Sequence, residues 1–203
     1  MTATSIWMTA RGAGLSALVL LTISTVLGVF VSRHRAESPN PNPGRRYVVQ
    51  YLHRVFAALG LAALALHIGT ILADSYAHVG WLGALIPFTS SYRPVAIALG
   101  SLATYALIGV SVLGLARGRM ASSPRGARVW RWLHGLAYVG WGTAILHGFT
   151  AGTDSAVGWV QHLYTLCLIA VLGSVAMRLF TYRPAAVGDR FTQVPGASRG
   201  VLR

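Results

Sequence analysis

An all-α integral membrane protein is the fold class that this sequence predicts, and three observations predict it. The 203 residues are 54% hydrophobic and only 10% charged, where soluble domains carry roughly 25% charged residues. Five apolar stretches reach the roughly 17 to 25 residues needed to cross a bilayer. The basic residues, finally, sit in short clusters between those stretches. All 17 are arginine, and against four acids they give a formal charge of +13. Spread over the connections of an apolar chain, such an excess reports membrane orientation rather than nucleic-acid binding. The single cysteine, Cys167, excludes an internal disulfide and a cysteine zinc cluster.

The stretches fall at about 13 to 31, 47 to 73, 94 to 116, 132 to 150 and 157 to 180. The first lacks a basic start and an A-x-A-like cleavage site and ends in SRHR, so it is expected to be an uncleaved helix. The connection after it, SRHRAESPNPNPGRR, holds Arg33, Arg35, Arg45 and Arg46 around a Pro/Asn loop at 39 to 43. After the second stretch come Asp74 and Arg93, with HVGWLGALIPF between them. That segment is too short to span. Its Trp81 and Pro87 suit a half-helix in the interface, or a lid. The connection after the third stretch holds Arg117, Arg119, Arg125 and Arg128, the next holds Asp154 alone, and the tail holds Arg183, Arg190, Arg199 and Arg203. The arginine-rich connections predict five crossings with the N-terminus outside and the C-terminus inside. The expected organisation is an extracytoplasmic segment over 1–12, a transmembrane domain over 13–182 and a cytoplasmic tail over 183–203. No internal repeat is visible.

Intramembrane ionisable residues are rare and usually functional, and here they are histidines. The second span, YLHRVFAALGLAALALHIGTILA, carries His53 and His67; the fourth, in VWRWLHGLAYVGWGTAILHGFT, carries His134 and His147. Both spans run from inside to outside, so His53 and His134 share one leaflet and His67 and His147 the other. The steps of 14 and 13 residues separate the layers by roughly 20 Å. Two layers of two facing imidazoles is what a pair of stacked six-coordinate haems requires. At about 100° per residue the 14-residue step returns to within roughly 40° of one face, but the 13-residue step misses by roughly 140°. The fourth span is therefore expected to tilt, overwind or offer its ligands from different sides, with Gly135, Gly140 and Gly142 permitting distortion.

The pattern H-x13-H on one helix and H-x12-H two helices later resembles the transmembrane domain of the ferric reductase and NADPH oxidase family, over approximately residues 14 to 182. The resemblance implies an inner b-type haem on His53 and His134, an outer one on His67 and His147, and electron flow outward. Respiratory cytochrome b ranks second, because its two histidine steps are nearly equal. Only about 20 residues follow the last span, so no flavin and NADPH domain is expected on this chain, and the usual first helix of the six-helix version is missing. The chain looks more like the stand-alone bacterial haem subunits of that superfamily. Flavin is expected only on a separate partner.

Two neutral imidazoles per iron leave no open position for a substrate, which favours electron transfer over oxygen chemistry. Arg54, Arg128 and Arg131 are candidates to pair with haem propionates at the cytoplasmic end, and Arg93 is the one expected at the outer end. His78 and His162, with Asp74 and Asp154, fall on the acceptor side, where solvated positions are the simpler account. His34 reads as a solvated loop residue and Cys167 as packing. Trp130, Trp132, Trp141 and Trp159 read first as anchors and core.

Two function classes follow. One is a di-haem subunit of the cell membrane that carries electrons from a cytoplasmic flavoprotein or a quinol to an extracytoplasmic acceptor, ferric iron or a partner oxidoreductase. The other is a non-redox bundle whose histidines serve metal or proton transport, or assembly. Asp and Glu are absent from all five apolar runs, which favours the first. The expected core is made of spans two to five, with the first packed outside it and the third contributing only packing.

Overall fold

The computed structural model describes residues 3–33, 43–74 and 79–180. Expectations for His34, Arg35, His78, Arg183, Arg190, Arg199 and Arg203 fall outside them. Eight helices account for the described residues: α1 (Ala3–Arg33), α2 (Pro43–Ala73), α3 (Gly80–Leu85), α4 (Pro94–Leu115), α5 (Arg117–Met120), α6 (Pro124–His134), α7 (Leu136–Ala151) and α8 (Gly158–Phe180). Four of them, α1, α2, α4 and α8, are long and apolar enough to cross a membrane. The protein is a multi-pass membrane helical bundle. Such helices satisfy their backbone groups internally, as hydrocarbon requires.

The stretch at 132 to 150 departs from a continuous span. It is split between α6 and the 16-residue α7, about 24 Å long at 1.5 Å per residue. The division falls at Gly135, directly after His134. The Gly135 N–H is shared between the Arg131 and Trp132 carbonyls at 3.1 Å each, and the Tyr138 N–H reaches back to Gly135 O at 3.1 Å. These i−3 bonds tighten one turn toward 3₁₀ geometry. Local overwinding with a break in the helix is thus how the 13-residue step is accommodated. Upstream, the Ser123 hydroxyl accepts from the Gly126 N–H at 3.1 Å and Pro124 occupies the first turn, which starts α6 cleanly.

The first helix does not lie outside the core. α1 packs along α2 and also meets α7 and α8, burying Ala10, Ala13, Ala17, Leu18, Leu21 and Val29. Leu18 joins Trp141 and Ile145 of α7 and Val160, Tyr164, Cys167 and Val171 of α8 in one apolar cluster, so Cys167 is packing, as its residue type suggests. At its heart the Trp141 indole N–H donates to Thr22 Oγ1 at 2.9 Å, and that hydroxyl donates to Leu18 O at 2.7 Å. Small residues explain why α1 takes this place, since they let helix backbones approach where lipid removes the hydrophobic drive. α2, which carries two of the histidines, is peripheral: Gly60 is its one buried residue among those described. α4 pairs with α7, and α8 buttresses α1. α1, α2, α4 and α7 therefore surround the histidines, in place of spans two to five.

The short apolar segment forms α3, six residues long, with Trp81, Leu82 and Leu85 exposed. It is tied to α4 through Ser101 Oγ, which donates to Ala84 O at 2.7 Å, and through the Tyr105 hydroxyl, which donates to Leu85 O. It does not span.

A Cβ at Gly60 would stand 2.8 Å from Leu21 Cγ and 3.3 Å from the Leu21 backbone nitrogen, whereas at Gly69 it would meet nothing within 4 Å. Gly60→Ala is expected to destabilise the detergent-solubilised protein by about 1–3 kcal/mol. Gly69→Ala should leave its thermal midpoint unchanged or raised, so equal midpoints for the two would contradict the α1–α2 contact.

Candidate functional site: two layers of paired imidazoles

The four histidines meet in two pairs. The rings of His53 and His134 have centroids 6.3 Å apart at an interplanar angle of 73°, and those of His67 and His147 are 6.3 Å apart at 74°. The layers are about 21 Å apart along α2, from 14 residues at 1.5 Å each. α2 and α7 do not pack along each other; each lies on a neighbour, α2 on α1 and α7 on α4. The imidazoles reach into the gap between them.

What aims the rings is the neighbouring helix. His67 Nδ1 donates to Ala10 O at 2.7 Å, His53 Nδ1 to Ser24 O at 2.8 Å, and His147 Nδ1 to Ala96 O at 2.7 Å. Ser24 adds a clamp, its hydroxyl donating to His53 O at 3.0 Å. A carbonyl can only accept, so these three Nδ1 atoms carry the proton and leave the Nε2 lone pair for the gap. Each carbonyl precedes a glycine by four residues: Ala10 and Gly14, Ser24 and Gly28, Ala96 and Gly100. In an α-helix the carbonyl of one residue accepts from the N–H four residues on. A glycine at that position clears space for a second donor on the same oxygen. An added Cβ would stand 3.0 Å from His67 at Gly14, 3.3 Å from His53 at Gly28 and 2.9 Å from His147 at Gly100. The fourth socket is looser. Val110 and Gly114 repeat the spacing, but a Cβ at Gly114 would lie 3.7 Å from His134. His134 Nδ1 is buried and makes no hydrogen bond of ordinary geometry, although the Val110 backbone lies beside it. Trp130 stacks on the ring instead, at 4.8 Å and 15°.

These contacts reveal a repeat whose marks in the sequence are only its spaced glycines and histidines. α1 and α4 each present two glycines 14 residues apart; α2 and the α6–α7 pair each follow with two histidines. The order along both hairpins is Gly14, Gly28, His53, His67 and Gly100, Gly114, His134, His147. Two copies of one design face each other. The third span therefore does more than pack, since α4 supplies carbonyls. Sequence reasoning missed the four glycines, although their 14-residue step matches that of His53 and His67.

The arrangement fits a metal that brings its own in-plane ligands. Two metal–imidazole bonds of about 2.0–2.1 Å, added to about 1.1 Å from each nitrogen to its ring centre, span about 6.3 Å. Among the described residues no group of three or more His, Cys, Asp or Glu could hold a bare ion. A cavity of about 390 Å³ adjoins His67 and His147, lined by apolar side chains such as Leu64, Ile68, Leu107 and Ala144. α3 contributes Trp81, Ala84 and Leu85 to its wall, so the segment has the covering position of a lid. A flat apolar macrocycle fits such walls.

Charged residues mark the two ends. At the arginine-rich end Arg54 and Arg117 converge on Gln50 Oε1, at 3.3 and 2.9 Å once its amide is oriented to accept from both. Arg46, seven residues before His53 and so on the same helix face, holds a buried Nε without a hydrogen-bond partner. Arg128 and Arg131 are exposed on α6. At the opposite end Arg93 donates to Thr150 O at 2.8 Å. It is not the only arginine there. α1 begins at Ala3, so Arg11 is helical, lines the cavity, pairs with Asp154 and lies over the Trp7 ring at 3.9 Å. His162 is exposed and bonds to its own helix at Gly158 O, 2.6 Å away. Trp132 and Trp159 are exposed, as anchors would be.

No family model, no curated protein and no solved structure matches this chain.

Gly100→Ala is expected to drive a methyl into the His147 ring and to lower stability by about 1–3 kcal/mol. Gly114→Ala, with 3.7 Å available, should stay within about 0.5 kcal/mol of the parent. Thermal melts of the two variants in detergent check the ranking, and the opposite order would discredit the socket geometry.

Proposed function

We propose that the protein is a di-haem, b-type electron-transfer subunit, akin to the ferric reductase-like transmembrane haem proteins in their stand-alone form. The observation that carries this reading is the pair of stacked imidazole layers, each with its rings 6.3 Å apart. His53 and His134 would ligate one haem and His67 and His147 the other. Bound there, haem supplies a one-electron ferric/ferrous couple.

The chain's own residues supply orientation, insulation and charge. The carbonyls of Ala10, Ser24 and Ala96 hold three rings with the protonated nitrogen outward, which fixes the ligating tautomer and raises its basicity. With two imidazoles to hold each haem, the site would conduct electrons and would present no vacancy to oxygen or substrate. Arg46, Arg54 and Arg117 are positioned to hold propionates at their end, and Arg11 can do so at the other. Arg131 is the weaker candidate, being exposed on α6.

In this reading α7, with the tightened turn at Gly135, completes a fifth crossing. Its 16 residues fall below the usual spanning length, but α6 leads directly into it. The arginine-rich end is then cytoplasmic, by the bias of basic residues toward that side. Electrons pass outward through a bacterial cell membrane, from a flavoprotein or quinol to an acceptor outside. A bare-metal carrier is disfavoured because each layer offers two imidazoles and no third His, Cys, Asp or Glu among the described residues.

The test is the dithionite-reduced minus oxidised spectrum of protein expressed with ample haem, together with pyridine extraction. About two low-spin b-type haems per chain are expected, and one in His67→Ala, which should keep the His53–His134 layer. Absence of haem from the parent protein would end this reading.

A further inference from the structure

We infer that the two layers differ in affinity for an electron, the His53–His134 layer being the more easily reduced, with Trp130 as the residue that positions His134. The inference rests on the haem reading above. Two observations point the same way, and a third shows how His134 is held.

The first is hydrogen bonding. A carbonyl that accepts from Nδ1 makes the imidazole a stronger donor to its metal, which favours the oxidised state. Both rings of the His67–His147 layer have this bond at 2.7 Å. In the other layer His53 has it at 2.8 Å, but His134 makes no such bond of ordinary geometry, the Val110 backbone lying only beside it.

The second is charge. Arg46, Arg54 and Arg117 gather at the His53–His134 end, with Arg117 over the Trp130 ring at 5.2 Å. No Asp or Glu occurs at that end among the described residues. At the His67–His147 end Asp74, Asp154 and Arg11 line the cavity and Arg93 stands on Thr150, two acids against two bases, so the positive excess lies at the other end. Nearby cations stabilise an added electron and carboxylates oppose it, most strongly where water is excluded.

The third is the manner in which His134 is held. It is the last residue of α6 and lacks the carbonyl anchor of the other three. Its ring lies on the Trp130 indole, whose N–H donates to Leu113 O at 2.8 Å. Trp130 thus takes the place of the missing hydrogen bond without adding electron density through Nδ1.

An electron shared between the layers would therefore rest at the arginine-rich end. Its passage to the other layer transfers one electron with no bond made or broken and no proton moved, and it runs against the intrinsic potentials. Outward delivery then depends on the membrane voltage or on an acceptor that removes the electron quickly.

Optical redox titration of single-layer variants tests this. His67→Ala, retaining His53 and His134, is expected to half-reduce at a higher potential than His53→Ala, retaining His67 and His147. Within the His67→Ala background, Trp130→Leu should broaden the low-spin electron paramagnetic resonance signal and shift the midpoint, whereas Trp130→Phe, which can still stack, should change both far less. In the His53→Ala background Trp130→Leu should change neither. If the single-layer variants fail to fold, the full protein answers, since Trp130→Leu should then move only the higher of its two midpoints. Equal or reversed midpoints in a protein that holds two haems would overturn this inference and leave the haem reading intact. An unchanged signal in Trp130→Leu would remove Trp130 from its positioning role. A parent protein without haem would overturn both readings together.

Discussion

The hydrogen bond from a histidine Nδ1 to a backbone carbonyl on the adjacent helix is the contact on which the rest of this structure depends. In hydrocarbon an unpaired imidazole N–H has no water to turn to, so leaving it unpaired is costly, and three of the four rings find a backbone acceptor. Helix carbonyls are already engaged by the N–H four residues on, but each oxygen has a second lone pair. Reaching it requires that the side chain four residues on be absent. Gly14, Gly28 and Gly100 meet that steric condition closely, with added Cβ atoms standing 3.0, 3.3 and 2.9 Å from the rings. One bond thereby settles three matters: the helix pairing, the tautomer and the nitrogen presented to the gap.

This constraint also explains why helix burial runs against the placement of the histidines. α2 carries two of them yet buries only Gly60 among its described residues, while α1 carries none within its bounds and lies in the core. A helix that supplies carbonyls must bring its backbone close, and small residues such as Ala10, Ala13 and Ala17 allow that approach. A helix that supplies long ring side chains can stand away and face lipid with its other side. α7 departs from this division, since it carries His147 and also buries Trp141 and Ile145 in the core, while α4 supplies the Ala96 carbonyl. Trp141 and Thr22 then fasten the two hairpins together through a buried bond of 2.9 Å.

The two ends of the bundle differ in charge and in the quality of their sockets. His134 sits where the helix tightens at Gly135, and its Nδ1 makes no hydrogen bond of ordinary geometry to the Val110 backbone beside it. Stacking on Trp130 compensates with a contact that depends on shape rather than on proton donation. Symmetry of design with this one departure is what distinguishes the layers. It coincides with a step from His134 to His147 one residue shorter than that from His53 to His67.

Hydropathy, arginine placement and histidine spacing, read from the sequence alone, determined a membrane helical bundle, the segments of α2, α4 and α8 and the later two thirds of α1, the pairing of His53 with His134 and His67 with His147, and the shortness of α3. These are legible because lipid imposes length and composition on each helix separately, and because depth along a helix follows from residue count. The tertiary structure alone decided that α1 belongs to the core, that α4 supplies acceptors, that Arg11 reaches the cavity and that α6 ends at His134. Each of those depends on which helix lies beside which. Apolar helices in lipid carry almost no outward mark of their neighbours, since a lipid-facing leucine and a helix-facing one read alike. The glycines were the exception, but their meaning lies in the side chain that fills the space they leave, and that side chain belongs to another helix.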